Sequence, residues 1–292
     1  MTVPETDLGR LCDLSGFPYE QDTIEVEGHE MAYLDEGEGP ETFLLLHGVP
    51  TWSYLYRKMV PTLIEAGRVL VPDLVGFGAS SKPADDAHTY DMHARTVTRF
   101  VEALDLDDVT LVGQDWGGPF GFHAATRLPD RFQRLVAANT FLPDGSQPLP
   151  EPWHEFHDFV QRTPDVPAGF LVQRACVTDL PDEVVAAYDA PFPSEEHKAG
   201  ARRLPDLVPR SPDAPAADPI RETRTRLADL EADTYCVFAE QDPIMAPGAE
   251  PMSELLDADL DWIDGAGHFI QEDAGEELAA KIVDFVQRTP RS

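Results

Sequence analysis

Residues 109–118, VTLVGQDWGG, decide the fold of this chain. An apolar run rich in β-branched residues ends in glycine, and a pattern with helical spacing follows from Pro119 onward. This order predicts a buried strand, a tight turn and a helix. Gly113 and Gly117 flank Asp115 at the spacing of a nucleophile elbow, in which a sharp turn lifts one side chain above a parallel sheet.

An aspartate at the centre of such an elbow differs chemically from the more familiar serine. Serine needs a base to remove its proton, whereas a carboxylate is already ionised at neutral pH and attacks an electrophilic carbon directly. The product would be an ester on the enzyme. The motif alone also fits a second interpretation, in which Asp115 is only the N-cap of the following helix and the glycines are ordinary turn residues.

Length and composition limit the class of protein. The 292 residues suffice for one large α/β domain with an insertion or for two small domains, and a hydrophobic content of 42% supports a full core. No apolar run is long enough to span a bilayer, and residues 1–5 lack the basic and then apolar pattern of a signal peptide. We therefore expect a cytoplasmic protein that does not bind membranes.

The net charge of -32 comes from 54 acidic and 22 basic residues spread along the whole chain. Such a surface repels the phosphates of nucleic acid and anionic lipid, so a nucleic-acid partner is not expected. Our hypothesis is a halophilic protein from a high-salt cytoplasm, and the alternative is an acidic protein of an ordinary one. The three cysteines, Cys12, Cys176 and Cys236, are too widely spaced for a disulfide framework or a zinc site and are interpreted as buried thiols.

Apolar runs and helical patterns alternate through most of the chain. After a hairpin over residues 22–35, strands are predicted at 42–46, 69–72, 109–113, 135–140, 234–239 and 260–263. Helices are predicted at 90–104, 119–128, 221–230 and 276–286. This alternation predicts an α/β fold with a mostly parallel, doubly wound sheet.

The pattern changes at Pro143. From there to Pro219 prolines are dense, no buried strand is visible, and helical segments are predicted near 153–162, 181–189 and 195–204. The sequence therefore predicts a core made of residues 1–142 and 220–292, with a helical insertion at 143–219.

Functional groups in a doubly wound sheet gather beyond the carboxyl ends of the strands. Asp115, Asp242 and His268 all occupy such positions, in the chain order nucleophile, acid, histidine that is typical of catalytic triads. Some enzymes of this type place the acid after the strand that precedes the insertion. Here residues 139–142 contain no carboxylate and Asp144 lies further along in proline-rich sequence, which favours Asp242.

Three segments closely resemble haloalkane dehalogenases: HGVPTWSYLYR at 47–57, QDWGG at 114–118 and GHF at 267–269. The segment AYDAPFP at 187–193 also resembles the cap domain of that family. The resemblance covers nearly the whole chain and implies an α/β-hydrolase fold with a helical cap after the sixth strand. The segment before the insertion is shared with epoxide hydrolases, which remain the alternative.

The resemblance implies that the protein hydrolyses the carbon–halogen bond of a haloalkane to an alcohol, a halide ion and a proton. Asp115 would displace the halide and form an alkyl ester. His268 would then deprotonate the water that attacks this ester, and Asp242 would orient the imidazole. The expected partners are haloalkane, water and halide, and neither a metal nor an organic cofactor is required.

The resemblance also implies which groups stabilise charge. Backbone N–H groups of Val49 and Trp116 would form the oxyanion hole, and the Trp116 indole would donate to the halide. Related enzymes often have glutamate or asparagine at the position of Val49, and those with asparagine use it as the second halide donor. The side chain of Val49 cannot donate. Phe156 lies where a cap tryptophan is expected, and Trp153 lies one helical turn earlier. Trp153 is either the second donor or a packing residue at the rim of the cap.

Two other functional interpretations are weaker. An epoxide hydrolase needs tyrosine acids in the cap, and Tyr188 is the only tyrosine from 143 to 233. A non-enzymatic binding module would normally have lost a triad member, and none is missing. His154 and His157, beside Glu155 and Asp158, could suggest a metal site, but a solvated or packed helix face explains them better.

Overall fold

A computed structural model of the chain describes residue 11 and residues 14–290, so Cys12 lies outside the described residues. Eight strands in this part of the chain form one sheet in the order β1-β2-β4-β3-β5-β6-β7-β8. Strands β1 and β2 pair antiparallel, as do β2 and β4, and the remaining pairs are parallel. The bounds are Asp22–Val26 (β1), His29–Glu36 (β2), Glu41–Leu46 (β3), Gly67–Pro72 (β4), Val109–Asp115 (β5), Phe132–Thr140 (β6), Asp233–Ala239 (β7) and Asp259–Ile263 (β8). The predicted hairpin and mostly parallel sheet are therefore present.

The strand order places the functional edge of the sheet. Strand β5 lies between β3 and β6 and is buried along its whole length, as its continuous apolar run predicted. From β3 the chain passes to β4 on one side, and from β5 it passes to β6 on the other side. The loops after β3 and β5 therefore diverge and leave a crevice at their carboxyl ends, where ligands bind in sheets of this kind.

Helices cover both faces of the sheet. Buried residues of α2, α3, α8 and α9 pack with one face, and buried residues of α1 and α10 pack with the other. The α-helix bounds are Val60–Leu63 (α1), Tyr90–Ala103 (α2), Gly117–Arg127 (α3), Glu151–Arg162 (α4), Ala168–Ala175 (α5), Asp182–Asp189 (α6), Ala199–Leu207 (α7), Ala217–Leu227 (α8), Ala249–Leu256 (α9) and Ile270–Arg288 (α10). Within the described residues, no helix is both long and apolar enough to cross a membrane.

Between β6 and β7 the chain is helical, and one of its helices is absent from the sequence prediction. Helix α5 was missed because Pro167 and Gly169 suggest a break. Pro167 is the N-cap residue, where a missing N–H costs nothing, and Gly169 lies in the first turn. A Cβ at Gly169 would lie 2.2 Å from the backbone oxygen of Val185, so the glycine permits close packing of α5 on α6.

Two predicted helix starts were also wrong. Helix α8 begins at Ala217 instead of Arg221, because Pro219 is tolerated in the first turn, whose N–H groups have no partner within the helix. The closing helix begins at Ile270 instead of Glu276, and it includes a kink at Ala274 that interrupts the helical pattern of the sequence. The earlier start places the first turn of α10 directly after the predicted catalytic histidine.

Candidate active site

The turn after β5 has the geometry of a nucleophile elbow. Asp115 ends the strand with a φ of 49°, a left-handed conformation that is uncommon for a non-glycine residue. The hydroxyl of Thr140 donates to the backbone oxygen of Asp115 at 2.6 Å. A Cβ at Gly117 would lie 1.9 Å from the backbone oxygen of Leu46, so only glycine allows the turn to approach β3. The surrounding backbone thus holds Asp115 in its strained conformation.

The Asp115 carboxylate is buried and held by backbone donors. Its Oδ1 accepts the N–H of Val49 at 2.9 Å, and the N–H of Trp116 also donates to the carboxylate. A Cβ at residue 48 would lie 2.1 Å from Oδ1, so Gly48 makes this approach possible. Burial raises the pKa of Asp115 above its ordinary value, while the nearby His268 and the two N–H groups act in the opposite direction.

His268 lies between two carboxylates. Its Nδ1 is 2.8 Å from Oδ2 of Asp242, and its Nε2 is 3.8 Å from Oδ2 of Asp115. Burial by itself would lower the pKa of His268, but Asp242 and then Asp115 outweigh it and raise that pKa. The structure therefore brings the three predicted triad residues together, with His268 between Asp115 and Asp242.

Asp242 is positioned as a fixed anion. Its side chain is fully buried, and its Oδ1 accepts the backbone N–H groups of Ile244 at 2.9 Å and Met245 at 3.1 Å. Burial would raise the pKa of Asp242, but the charge and hydrogen bond of His268 and these two N–H groups lower it overall. An ionised Asp242 accepts a hydrogen bond from the N–H at Nδ1 of His268. The lone pair of the neutral ring is therefore on Nε2.

Asn139 is a residue of the site that sequence reasoning passed over. It lies near the end of β6 with a φ of 40°, and its Nδ2 donates to the backbone oxygens of Gly267 and His268, both at 3.0 Å. Its Oδ1 accepts the N–H of Ala239 at 2.8 Å. Asn139 therefore fastens the histidine loop to the end of β7. Its position at the carboxyl end of a strand was the available signal.

Asp115, Trp116 and His268 line a cavity of about 1510 Å³ whose other walls are mostly apolar. Trp116 stacks on Phe120 with ring centroids 5.1 Å apart, which fixes the indole next to Asp115. Helix α4 contributes both candidates for a second halide donor, Trp153 and Phe156, to the cavity wall.

Trp153 is buried and stacks on His157 with ring centroids 5.1 Å apart, so its orientation is fixed by the helix that carries it. His157 in turn contacts Asp206 through Nε2 at 2.9 Å and thereby joins α4 to α7. In the described part of the chain, no group of three or more potential metal ligands is arranged around a common centre. Of residues 154–158, His157 is buried between α4 and α7, whereas His154, Glu155 and Asp158 are exposed.

Tyr188 and the two described cysteines are buried to different extents. Tyr188 is fully buried, and its hydroxyl donates to Glu272. Cys236 is a buried thiol, as predicted. The same prediction was wrong for Cys176, which is only partly buried because it follows α5 at the cavity wall. Burial raises the pKa of the Cys176 thiol, which therefore stays protonated at neutral pH.

Comparisons with known proteins agree with this geometry. Residues 41–178 match the family model for the alpha/beta hydrolase fold. A haloalkane dehalogenase of Psychrobacter cryohalolentis is 38% identical over the full length of both chains. Haloalkane dehalogenase 1 of Mycobacterium bovis is 41% identical over 99% of this chain and 100% of the relative.

Among solved structures, the tetrameric haloalkane dehalogenase DpaA of Paraglaciecola agarilytica aligns over 98% of this chain and 99% of its own, with a TM-score of 0.91 and 31% identity. The predicted α/β-hydrolase fold is confirmed by this agreement of sheet, family model and structural neighbour. Because these two curated relatives are 38% and 41% identical over 100% and 99% of this chain, the chain belongs to the haloalkane dehalogenase family.

Proposed function

We propose that this protein is a hydrolase that cleaves carbon–halogen bonds in haloalkanes through an ester on Asp115. One observation carries the proposal: a buried carboxylate accepts two backbone N–H groups, that of Val49 at Oδ1 and that of Trp116, while its Oδ2 faces His268 in a mostly apolar cavity. A carboxylate in this position can act as a nucleophile without prior deprotonation. The full-length similarity to haloalkane dehalogenases supports the choice of a halogenated substrate.

In the first step, Oδ2 of Asp115 attacks the carbon that bears the halogen. A carbon–oxygen bond forms, and the carbon–halogen bond breaks with its electron pair leaving on the halide. The Trp116 indole N–H, fixed beside Asp115, donates to the departing anion in a mostly apolar cavity. Trp153 supplies the second N–H donor, because Phe156 can offer only its ring edge.

In the second step, Nε2 of His268 removes a proton from water, and the hydroxide formed attacks the ester carbonyl carbon of Asp115. Because the Asp115 carboxylate already accepts the N–H groups of Val49, at Oδ1, and of Trp116, the negative charge of the tetrahedral intermediate develops in a prepared oxyanion hole. Asp242 stabilises the imidazolium. Collapse of the intermediate expels the alkoxide, which takes the proton of His268 and leaves as the alcohol, and the Asp115 carboxyl group releases its remaining proton to solvent and becomes a carboxylate again.

The cavity favours uncharged, hydrophobic substrates. Its volume exceeds the range of about 300–1000 Å³ that is usual for small-molecule sites, and apolar side chains dominate its walls. Phe159 and Phe170, which are exposed and have ring centroids 6.2 Å apart, also line it. The acidic surface disfavours anionic substrates and nucleic acid and favours departure of the halide product.

An epoxide hydrolase with the same nucleophile is the alternative, and Tyr188 argues against it. Opening an epoxide requires an acid that protonates the ring oxygen. The hydroxyl of Tyr188 instead donates to Glu272, and burial followed by the charge of Glu272 raises the pKa of this tyrosine. Tyr188 is thus engaged in a structural contact between α6 and α10.

We further propose that residues 143–219 act as a cap over a core of residues 1–142 and 220–292. Because α8 crosses the second boundary and packs on α3, the cap would end just before Ala217. A cytoplasmic location and adaptation to high salt remain part of the proposal. The acidic composition supports the salt adaptation.

The direct test is to incubate the purified protein with 1-bromobutane and, in parallel, with styrene oxide. We expect bromide and butanol in equal amounts and no diol from the epoxide. In a His268→Ala variant we expect one burst of bromide and a protein heavier by one butyl group, which peptide mapping would locate on Asp115. Diol formation without bromide release would favour the epoxide hydrolase. A butyl adduct elsewhere would reject Asp115 as nucleophile.

A further inference from the structure

Gln114, the residue before the proposed nucleophile, lies against the proposed base. Its side chain is fully buried at the end of β5. Its Nε2 is 3.2 Å from Nε2 of His268 and 3.4 Å from the backbone oxygen of the same residue. Its Oε1 is buried and has no hydrogen-bond partner among the described residues. A fully buried amide next to a catalytic imidazole calls for an explanation.

The tautomer of His268 decides what the contact does. Nδ1 faces the carboxylate of Asp242 and therefore carries the ring proton, so Nε2 of the neutral ring is an acceptor. The Gln114 amide can donate to this lone pair. When the ring is protonated, two N–H groups point at each other, and the contact becomes unfavourable. The contact therefore favours the neutral imidazole.

Rotation of the Gln114 amide does not remove this preference. Exchanging Oε1 and Nε2 would offer an acceptor to a protonated ring, but it would also place Oε1 about where Nε2 is, 3.4 Å from the backbone oxygen of His268. Two acceptors would then face each other at a fully buried amide. The backbone oxygen of His268 selects the orientation in which Gln114 donates.

We propose that Gln114 is a positioning residue that keeps His268 neutral by donating to its Nε2 lone pair until water takes that place. This proposal rests on the proposed role of His268 as the base. A neutral His268 leaves the free oxygen of Asp115 unpaired for attack on the haloalkane. When water reaches the ester, it replaces the Gln114 amide as the donor to Nε2 and gives up its proton to the same lone pair.

The charged groups around His268 show what Gln114 opposes. Asp115 at the end of β5 and Asp242 after β7 both favour the imidazolium. From α10, Asp273 accepts the N–H of the adjacent Gly267 at 2.8 Å, and on the α5 side the neutral Cys176 thiol lines the cavity. Three carboxylates thus surround the histidine loop. Gln114 is the group in direct contact with Nε2 that disfavours protonation.

The test compares Gln114→Leu and Gln114→Met with wild type, with Gln271→Leu as the matched control. Gln271 is a second fully buried glutamine, and its amide lies beside Tyr56 and not beside His268. The pKa of His268 is measured in the free protein by ¹⁵N NMR of the imidazole. The acidic limb of ester hydrolysis is measured by quenched-flow after the halide burst.

The His268 pKa and the acidic limb of ester hydrolysis should both move to higher pH by about one unit in the Leu and Met variants, because a favourable contact with the neutral ring is lost. A Gln114→Glu variant should move them further, since its carboxylate stabilises the imidazolium. The Gln271→Leu control should not move them. An unchanged or lower His268 pKa in folded Leu and Met variants would overturn the proposal. Absence of any halide release by wild type would instead reject the proposed function, and the NMR titration would still decide the role of Gln114.

Discussion

The floor of the cavity carries Asp115, Trp116, Asp242 and His268, and its roof is the segment from α4 to α7, of which α4, α5 and α7 line the cavity. The two differ in what fixes their side chains. On the floor the proposed reacting groups are held by backbone: two N–H groups donate to Asp115 and two donate to Asp242. In the roof they are held by side-chain packing, as when Trp153 stacks on His157. A backbone N–H remains when the side chain of its residue is replaced, whereas replacing a packing neighbour removes the support itself.

The largest effect is expected on the floor, from Asp115→Asn. The amide has nearly the same shape and keeps a carbonyl oxygen for the Val49 N–H, so the fold should remain intact. It has no ionised oxygen to attack carbon, and kcat should fall by at least roughly 10⁴-fold. Halide release and thermal unfolding of the same preparation check both statements. An Asn variant with wild-type turnover would remove Asp115 from the mechanism.

The next largest effect is expected where roof and floor meet, at Glu272. Arg57 makes a bidentate contact with this fully buried carboxylate, and the hydroxyl of Tyr188 from α6 donates to it. Glu272→Gln leaves the buried Arg57 without its counter-charge and should lower the free energy of unfolding by about 3–5 kcal/mol. Tyr188→Phe removes one neutral donor and should cost about 1–2 kcal/mol. Urea unfolding at pH 7 compares them, and equal costs would show that the charge pair is not the dominant contact.

The same pair makes a pH prediction. The folded-state pKa of Glu272 is lowered, because Arg57, Tyr188 and Lys58 outweigh the effect of burial. A carboxyl with a lowered folded pKa adds stability above its unfolded pKa of about 4.5 and loses it as the pH falls through the folded value. The stability gap between wild type and Glu272→Gln should therefore be constant near neutrality and shrink below about pH 4.5. A gap that widens in acid would contradict this sign.

The two tryptophans compare floor and roof within one chemical step. Trp116→Phe should lower kcat/KM for bromoalkanes about 100-fold, since the elbow holds this indole beside Asp115. Trp153→Phe should lower it about tenfold, which is about 1.4 kcal/mol of transition-state stabilisation. Phe156→Leu is the control from the same helix and should change little. Bromide should quench indole fluorescence in wild type and less so in each tryptophan variant. Full activity of Trp153→Phe would place the second donor elsewhere in the roof.

The sequence predicted the floor much better than the roof, for a physical reason. Asp115, Asp242 and His268 could be found because parallel strands bring their carboxyl ends to one edge, whatever the packing elsewhere. In the roof, the choice between Trp153 and Phe156 depends on the rotation of α4 against α7, which the pattern of a short helix does not determine. Helix α5 was missed because its stability comes from contact with α6 and not from its own residues.

The floor was not fully predicted either. Asn139 was considered only as a position that lacks a carboxylate, although its amide joins the histidine loop to β7. The contact of Gln114 with His268 was invisible because it joins residues 154 positions apart. Polar residues that act by orienting other residues have no motif of their own, and their roles appear only from the contacts.

The smallest expected effect concerns the surface that floor and roof share. Residues 143–219 carry 14 acidic and 6 basic residues, so the roof region is about as acidic as the rest of the chain. Repulsion among these exposed charges opposes the folded state, and salt weakens it as the Debye length falls from about 10 Å at 0.1 M to about 3 Å at 1 M. Stability should rise by at least about 1 kcal/mol between these concentrations, or roughly 2–4 °C in melting temperature.

Buried contacts such as Arg57–Glu272 are screened much less, so the loss caused by Glu272→Gln should be the same at both salt concentrations. Sucrose of equal osmolality separates charge screening from general exclusion of solute. A melting temperature that responds equally to sucrose and to salt would mean that the acidic surface is not an adaptation to salt.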